Sequence, residues 1–423
     1  MRRFYIWTIG CQMNKADSGF IAGCLERSGL TPADTAAQAD LIVLNSCMVR
    51  GHAEERVVNK LNSLRGLKRN HPGVRIALTG CMVDSRIGEL SGRFPWVDLF
   101  FRPQQWGVLS DWAEGQGLPG LVEGGPLLPR DPPVSAWVPI IHGCDSFCSY
   151  CVVPFRRGRA RSRDPAEICC QVRGLVERGS REVVLLGQIV DAYGLDLPSR
   201  PDLADLLAEL NGVAGLQRIR FLTSHPGYMS RKLIRTIASL DKVCRHISLP
   251  VQAGDDAILK AMKRGYTVEE YLGLVADIRR AMPDVALSTD VIVGFPGETE
   301  EQFAGTMEVL RQVGFDQVHI AMYSPRPDTA AAGRMPDDIP ARTKEARRAG
   351  AEALQKEIAA RINAGFLGRT VRVLVEGQKK GSWWGRTEGD KLVFFLAEGC
   401  PTGQLAMVRI DSASPFALRG TLA

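Results

Sequence analysis

Alternation between short apolar runs and amphipathic stretches constrains this chain more than any other feature. From residue 3 to about 112 the runs read as strands near 3–9, 41–45, 74–79 and 97–101. Between the second and third, a helix is expected from His52 to about Lys68, with Val57, Val58, Leu61, Leu64 and Leu67 on one face. Parallel neighbours need a crossover, so strand and helix taking turns is the mark of βα units around a parallel sheet. A second alternating block places strands near 137–141, 182–186, 218–222, 245–249, 286–293 and 317–322. Six such units are too few for the eight-fold barrel and too regular for a mixed sheet, which leaves a partial, open (β/α)6 barrel. One of its helices has an explicit start in Asp164-Pro165-Ala166-Glu167: a capping side chain, proline in the first turn and an acid beside the positive end of the helix dipole.

The pattern breaks twice. Residues 115–136 hold five Gly and five Pro and read as a linker. After Pro340 a basic helical stretch, ARTKEARRAGAEALQKEIAARI, gives way to VRVLVEG, KLVFFLA, LAMVRI and FALRGTL, short strands between Gly-rich turns. These suggest a small antiparallel barrel, an architecture often used to bind nucleic acid. The expected fold class is α/β: a flavodoxin-like parallel sheet domain at 1–114, the linker at 115–136, the partial barrel domain at 137–366 and the small barrel at 367–423, which reads as an autonomous unit.

With 45% hydrophobic and 24% charged residues among 423, the chain has the composition of a folded soluble protein. No apolar run reaches the roughly 20 residues needed to span a bilayer, so we expect a cytoplasmic monomer without membrane contact. A net charge of +6 permits a polyanionic partner. Eleven cysteines is an odd number for a chain read as intracellular, where persistent disulfides are rare, and points first to metal ligation.

Cys144, Cys148 and Cys151 stand in GCDSFCSYC, a C-x3-C-x2-C spacing directly after the first strand of the six-unit block. Three thiolates so spaced can hold three corners of a 4Fe-4S cubane and leave the fourth iron open to an exogenous ligand. S-adenosylmethionine (SAM) is the expected occupant, to be split by one electron into a 5′-deoxyadenosyl radical. Tyr150, just before the last cysteine, is consistent with that loop. The bland alternative is a structural zinc site completed by His142 or another residue. Zinc sites usually pair two C-x2-C knuckles, and only one such pair exists here.

Cys11, Cys47 and Cys81 are distant in sequence, but each lies just beyond the end of an expected strand. In a parallel sheet the carboxyl ends of the strands share one edge, so three loops there can converge on one ligand. The alternative is that they are small buried side chains, as free cysteines often are. Cys24, Cys169, Cys170, Cys244 and Cys400 have no ligand spacing and read as core filling. None of the six histidines pairs with a carboxylate at metal-ligand spacing.

With both triads placed, the chain resembles the radical SAM methylthiotransferase family along essentially its whole length. TIGCQMNKADS, LNSCMVRGHAE, TGC at 79–81 and GCDSFCSYCVVPFRRGRARSR look like the family's signatures, followed by LLGQIVDAYG, LTSHP, LPVQAG, TDVIVGFPGETEEQF and YSPRPDTAAA. CQMN at 11–14 and YSPR at 323–326 most resemble the type that converts N6-isopentenyl-adenosine next to the tRNA anticodon into its 2-methylthio form. Sister types act on threonylcarbamoyl-adenosine in tRNA or on a ribosomal protein. The chain departs from the commoner pattern in QIVDAYG for QNVNSYG, QAG for QSG and SPRPDT for SPRPGT.

The resemblance implies two 4Fe-4S clusters, two molecules of SAM, a flavodoxin- or ferredoxin-type electron donor and a tRNA anticodon stem-loop as partner. One SAM yields the radical that takes hydrogen from C2 of the adenine, and the other methylates sulfur held at the Cys11, Cys47 and Cys81 site. No acid-base dyad is required beyond the cluster ligands. The C-terminal barrel would be a TRAM domain that binds RNA, with Arg369, Arg372, Lys379, Lys380, Arg386 and Lys391 toward phosphates and Trp383 with Trp384 stacking on bases or, alternatively, packing inward. Arg156, Arg157, Arg159, Arg161 and Arg163 follow the cluster loop, where a tRNA backbone would lie. For SAM the candidates at strand ends are Gly187, Gln188, Ser224, Gln252 and Asp290, together with Tyr150. A rival of another class, an RNA-binding module with structural metal, leaves the strand-end cysteines unexplained.

Overall fold

The computed structural model describes residues 3–47, 51–83, 87–103, 105–117 and 128–423. Residues 118–127 of the expected linker lie outside them. The N-terminal unit is a parallel five-stranded sheet of β1 (Arg3–Thr8), β2 (Thr31–Pro32), β3 (Leu41–Ser46), β4 (Arg75–Gly80) and β5 (Leu99–Phe100), in the order β2-β1-β3-β4-β5. That is the flavodoxin-like order, whose ligand crevice lies beyond the carboxyl ends next to the strand where the winding reverses. β3, LIVLNS, is buried at every position. Ile42 and Leu44 pack on one face with Val57, Leu61 and Leu78, while Leu41 and Val43 pack on the other with Ile21, Leu25 and Phe101. A strand covered on both faces favours apolar residues at successive positions, which is why LIVL at 41–44 reads as a continuous run, while the buried Asn45 and Ser46 at its end are hydrogen-bonded.

The central unit adds β6 (Ser135–Pro139), a short pair β7 (Ile141–His142) and β8 (Arg161–Ser162), then β9 (Glu182–Leu186), β10 (Arg218–Phe221), β11 (His246–Ser248), β12 (Ala286–Val293) and β13 (Gln317–Met322). β6, β9 and β10 form one parallel ladder and β11, β12 and β13 another. The two meet through single contacts, Ile219 with Val243 and Ser224 N donating to Ser248 O at 2.9 Å. Among the described residues β13 does not pair back to β6, so the six strands form an open arc. The expected cap holds: the Asp164 carboxylate accepts from the Ala166 and Glu167 amides at the start of helix Pro165–Glu177.

The C-terminal unit is a closed barrel of β14 (Thr370–Lys379), β15 (Ser382–Arg386), β16 (Leu392–Leu396), β17 (Leu405–Ala413) and β18 (Leu418–Leu422), ordered β14-β15-β16-β18-β17. It is not purely antiparallel, since β16 and β18 run parallel. An odd number of strands cannot alternate direction all the way round a closed ring, so one parallel pair is obligatory.

This barrel is clamped to the central unit, not merely tethered by the long helix Ala341–Ala364. Arg218 and Arg220 point from β10 into its 386–390 turn. They donate to the carbonyls of Arg386 at 2.6 Å, Arg372 at 3.0 Å, Glu388 at 2.9 Å and Thr387 at 3.1 Å. Arg220 also pairs with Glu182 at 3.3 Å, both side chains under 5% exposed, and Lys391 pairs with Asp316 at 2.7 Å. Arg218 and Glu182 begin β10 and β9, and Asp316 immediately precedes β13. The small barrel is therefore seated on the amino ends of the central strands. Among the described residues no helix is long and apolar enough to cross a membrane.

Candidate functional site

The three N-terminal cysteines come together as βα geometry requires. Cys11 caps the helix Gln12–Arg27 after β1, Cys47 directly follows β3 and Cys81 directly follows β4. Two asparagines not foreseen as site residues brace this edge. Asn14 donates to Asn45 Oδ1 at 3.0 Å and Ser46 O at 2.7 Å, while Asn45 donates back to Asn14 O at 2.7 Å. Gly80 adopts φ +95°, and a Cβ there would stand 2.2 Å from Ser46 O, so only glycine lets β4 close on β3 just before Cys81.

Electrostatics shows that the thiols share one site. Burial pushes Cys81 above its ordinary pKa, the Arg157 guanidinium pulls it back, and Cys47 and Cys11 push it up again. Arg157 Nε donates to Cys81 Sγ at 3.3 Å.

The second triad sits on the loop after β7. Cys144 N donates to Gly158 O at 3.1 Å, Cys151 N to Cys148 O at 3.0 Å, and Ser149 locks the loop through Met262 O and Ala261 O. Burial is the main force raising Cys144 and Cys151, the latter to about 12, and in each case the other two thiols or a neighbouring one add to it. Arg264, in a turn between the positive-φ residues Lys263 and Gly265, donates to Cys148 Sγ at 3.4 Å. Each triad thus has a buried guanidinium on one sulfur. Metal binding displaces the thiol protons, and a nearby fixed cation favours that. Among the described residues no group of three Cys, His, Asp or Glu could hold a single metal ion. Three thiolates brought to one place, with no carboxylate or imidazole required, are the donor chemistry that a 4Fe-4S cluster takes.

Gly143 at φ +70° precedes Cys144, and a Cβ on it would meet Arg159 O at 2.1 Å. Gly143→Ala is expected to spring this loop and to lower the iron retained after anaerobic reconstitution by about half, the share of one of two 4Fe-4S clusters. Iron unchanged per chain would show that the loop tolerates the shift.

The expected SAM residues line the carboxyl edge of the arc. Gly187 and Gln188 follow β9, and buried Ser224 follows β10 with a hydroxyl oxygen that has no partner among the described residues. Gln252, at φ 71°, donates its amide to Asp290 O at 2.9 Å. Tyr150 is packed edge-on against Phe295, which in turn meets Tyr323.

Sequence reasoning missed Asp191 and His225. The His225 amide donates to both Asp191 carboxylate oxygens at 3.0 and 3.1 Å, and the His225 ring meets Tyr266, the hydrogen-bond partner of Arg264. Burial pushes Asp191 up to about 7, while burial and Arg264 push His225 down to about 3. A carboxyl raised in the fold adds stability while protonated and loses it as pH climbs toward 7. Asp191→Asn, a residue that never ionises, is therefore expected to flatten the fall in stability between pH 4 and 7 and to gain ~2 kcal/mol at pH 8 relative to the parent. Thermal melts at pH 5 and 8 measure it, and an equal pH dependence in both proteins refutes it.

The arginine run after the second triad does not form one outward surface. Arg159 and Arg161 are exposed. Arg156 is buried with Asp328 at 3.1 Å, and Arg163 donates to Pro139 O and Gln171 Oε1, both at 2.7 Å. Arg157 is the most deeply turned in, its side chain 2% exposed. On the small barrel Arg369, Arg372, Lys379 and Lys380 are exposed, whereas the Trp383 indole packs inward and donates to Ala397 O at 3.1 Å.

Comparisons with known proteins agree with this layout. Residues 138–310 match the radical SAM superfamily, residues 3–102 the uncharacterized protein family UPF0004 and residues 366–423 the TRAM domain. A Dehalococcoides mccartyi protein named tRNA-2-methylthio-N(6)-dimethylallyladenosine synthase is 51% identical over 100% of this chain and 99% of its own length. Proteins of the same name are 50% identical in Chloroflexus aurantiacus, over 99% of this chain and 91% of theirs, and 44% identical in Dictyoglomus thermophilum, over 99% and 98%. Among solved structures, the radical SAM methyltransferase TsrM of Kitasatospora setae aligns at TM-score 0.57 and 15% identity, covering 78% of this chain and 75% of that one. The cobalamin-dependent radical enzyme OxsB aligns at 0.53 and 10%, covering 84% and 56%. These two likenesses show the fold alone.

Proposed function

The chain belongs to the family of radical SAM tRNA-2-methylthio-N(6)-dimethylallyladenosine synthases, and we propose from that premise how its own residues divide the work. It converts N6-isopentenyl-adenosine next to the tRNA anticodon into the 2-methylthio derivative. Cys144, Cys148 and Cys151 would hold the 4Fe-4S cluster of the radical SAM fold, and Cys11, Cys47 and Cys81 a second. When bound, the first supplies the electron that cleaves SAM, and the second carries the sulfur to be inserted.

The observation that carries this reading is a contact across the two units. The segment that follows Cys151 reaches the other triad, so one short helix ties the two cysteine sets together. Sulfur insertion needs that proximity, because a base radical must meet its sulfur within the same site. Gly187, Gln188, Ser224, Gln252, Asp290 and Tyr150 are proposed to position SAM along the carboxyl edge of the 137–366 unit. Arg159 and Arg161 at the mouth, with Arg369, Arg372, Lys379 and Lys380 on the 367–423 barrel, are proposed to take tRNA phosphates. A flavodoxin- or ferredoxin-type protein in the cytoplasm is the proposed electron source.

The test is to incubate anaerobically reconstituted protein with SAM, a reductant and an anticodon stem-loop carrying N6-isopentenyl-adenosine. Mass spectrometry of the digested nucleosides should show the 2-methylthio product. Its absence, with threonylcarbamoyl-adenosine RNA modified instead, would reassign the substrate. In the same assay Arg159→Ala with Arg161→Ala should flatten the dependence of RNA affinity on salt.

A further inference from the structure

We infer that Arg157 is a positioning residue for the N-terminal triad: its hydrogen bond to the Cys81 sulfur fixes that ligand in place and sets the reduction potential of the cluster there. The inference rests on reading Cys11, Cys47 and Cys81 as a cluster site. Burying a guanidinium costs several kcal/mol unless partners repay it, so a buried arginine needs an account of each of its hydrogens. Arg157 Nη2 donates to Asp17 Oδ2 and Asn14 Oδ1, both at 3.2 Å, and Nε donates to Cys81 Sγ at 3.3 Å. Asp17 balances one charge and is itself 3% exposed in its side chain. Nη1 is buried with no hydrogen-bond partner among the described residues.

An arginine serving only to join two units would spend its donors on carbonyls, as Arg218 does beneath the small barrel. This one directs a donor at sulfur.

The chain position of Arg157 gives the contact a second meaning. It ends the helix Val153–Arg157 that follows Cys151, and the next carbonyl, that of Gly158, accepts from Cys144 N at 3.1 Å. Two adjacent residues thus touch both triads. A hydrogen bond to a ligating sulfur, and a positive charge beside it, stabilise the reduced, more negative cluster and raise its potential.

The experiment uses the full chain with Cys144, Cys148 and Cys151 replaced by alanine, so that any cluster signal belongs to the N-terminal triad. After anaerobic reconstitution, iron is counted and the midpoint potential is read by a redox titration followed by electron paramagnetic resonance. In this background the parent should carry about four irons. If it carries none, the cluster reading itself fails. Given iron, Arg157→Gln should move the midpoint to a more negative value, and Arg157→Lys, which keeps the charge but not the planar fork, should recover part of the shift. Loss of iron from the Gln variant alone, with Lys retaining iron and an intermediate midpoint, also supports the assignment. Equal midpoints in all three proteins overturn it. Iron lost from both variants under an unchanged circular dichroism spectrum overturns it too, by making Arg157 a scaffold residue.

Discussion

Replacing Cys11, Cys47 and Cys81 together by alanine is expected to leave an enzyme that makes 5′-deoxyadenosine and no methylthio-adenosine. The remaining triad is on a different loop, and its own braces, from Ser149 to Met262 and Ala261 and from Arg264 to Cys148, lie within the central unit. SAM cleavage needs three ligands and one open iron position, all of which survive. Iron should fall by about half. The converse set, Cys144→Ala, Cys148→Ala and Cys151→Ala, should abolish both products while retaining the other half of the iron. The two outcomes differ in kind, so one liquid-chromatography trace per variant separates them. Normal methylthiolation by the first variant would mean that the strand-end cysteines are core residues.

Glu182→Leu is expected to cost ~3–5 kcal/mol, because removing one member of a buried ion pair strands the other without water. The stranded group is Arg220, 3% exposed. Arg220 keeps the Glu388 and Thr387 carbonyls and the Asp390 carboxylate at 3.8 Å, so the cost is expected at the lower end of that range. Glu182 also accepts from Ser135 Oγ at 2.7 Å, tying β6 to the same point. For a cooperative unit of this size the loss corresponds to a fall in Tm of roughly 10 °C. The pair Glu182→Leu with Arg220→Met should regain most of it, since two apolar side chains of similar volume leave nothing unpaired. Calorimetry of the three proteins decides the matter. A single variant that melts with the parent would show that the clamp contributes nothing to stability.

Much of the fold is legible in the sequence because parallel strands covered on both faces are rich in apolar and β-branched residues. EVVLL at 182–186 and ALSTDVIV at 286–293 fall within the runs expected for them. Two-residue strands such as Thr31–Pro32 carry no period to detect. SWWGR at 382–386 was ambiguous between base-stacking and packing, and it is a barrel strand whose first tryptophan faces inward. The cysteines were readable because their places at strand ends follow from topology alone. Their partners were not. Arg157 finds Asp17 and Cys81 at sequence separations of 140 and 76 residues, and Arg218 and Arg220 find the 386–390 turn farther away still in the other direction. A charged side chain is read as solvated by default, and only the tertiary structure reveals which ones are not. Lys344 and Arg347 teach the same lesson in the basic helix, both buried, with Arg347 on Glu298 at 2.8 Å.

The seat of the small barrel also bears on which RNAs can be substrates. Its 386–390 turn rests at the amino ends of strands whose carboxyl ends face the cysteines. The longest of them, β12, has eight residues and so measures about 26 Å at the usual rise of a strand. On the proposed reading, the barrel's share of the grip and the chemistry lie toward opposite ends of these strands, and an RNA that reaches both must be stiff enough to carry the interval in its own frame. A folded stem does this and a short loose oligonucleotide does not. The protein thereby works as a calliper, admitting a molecule by its reach before any base is inspected.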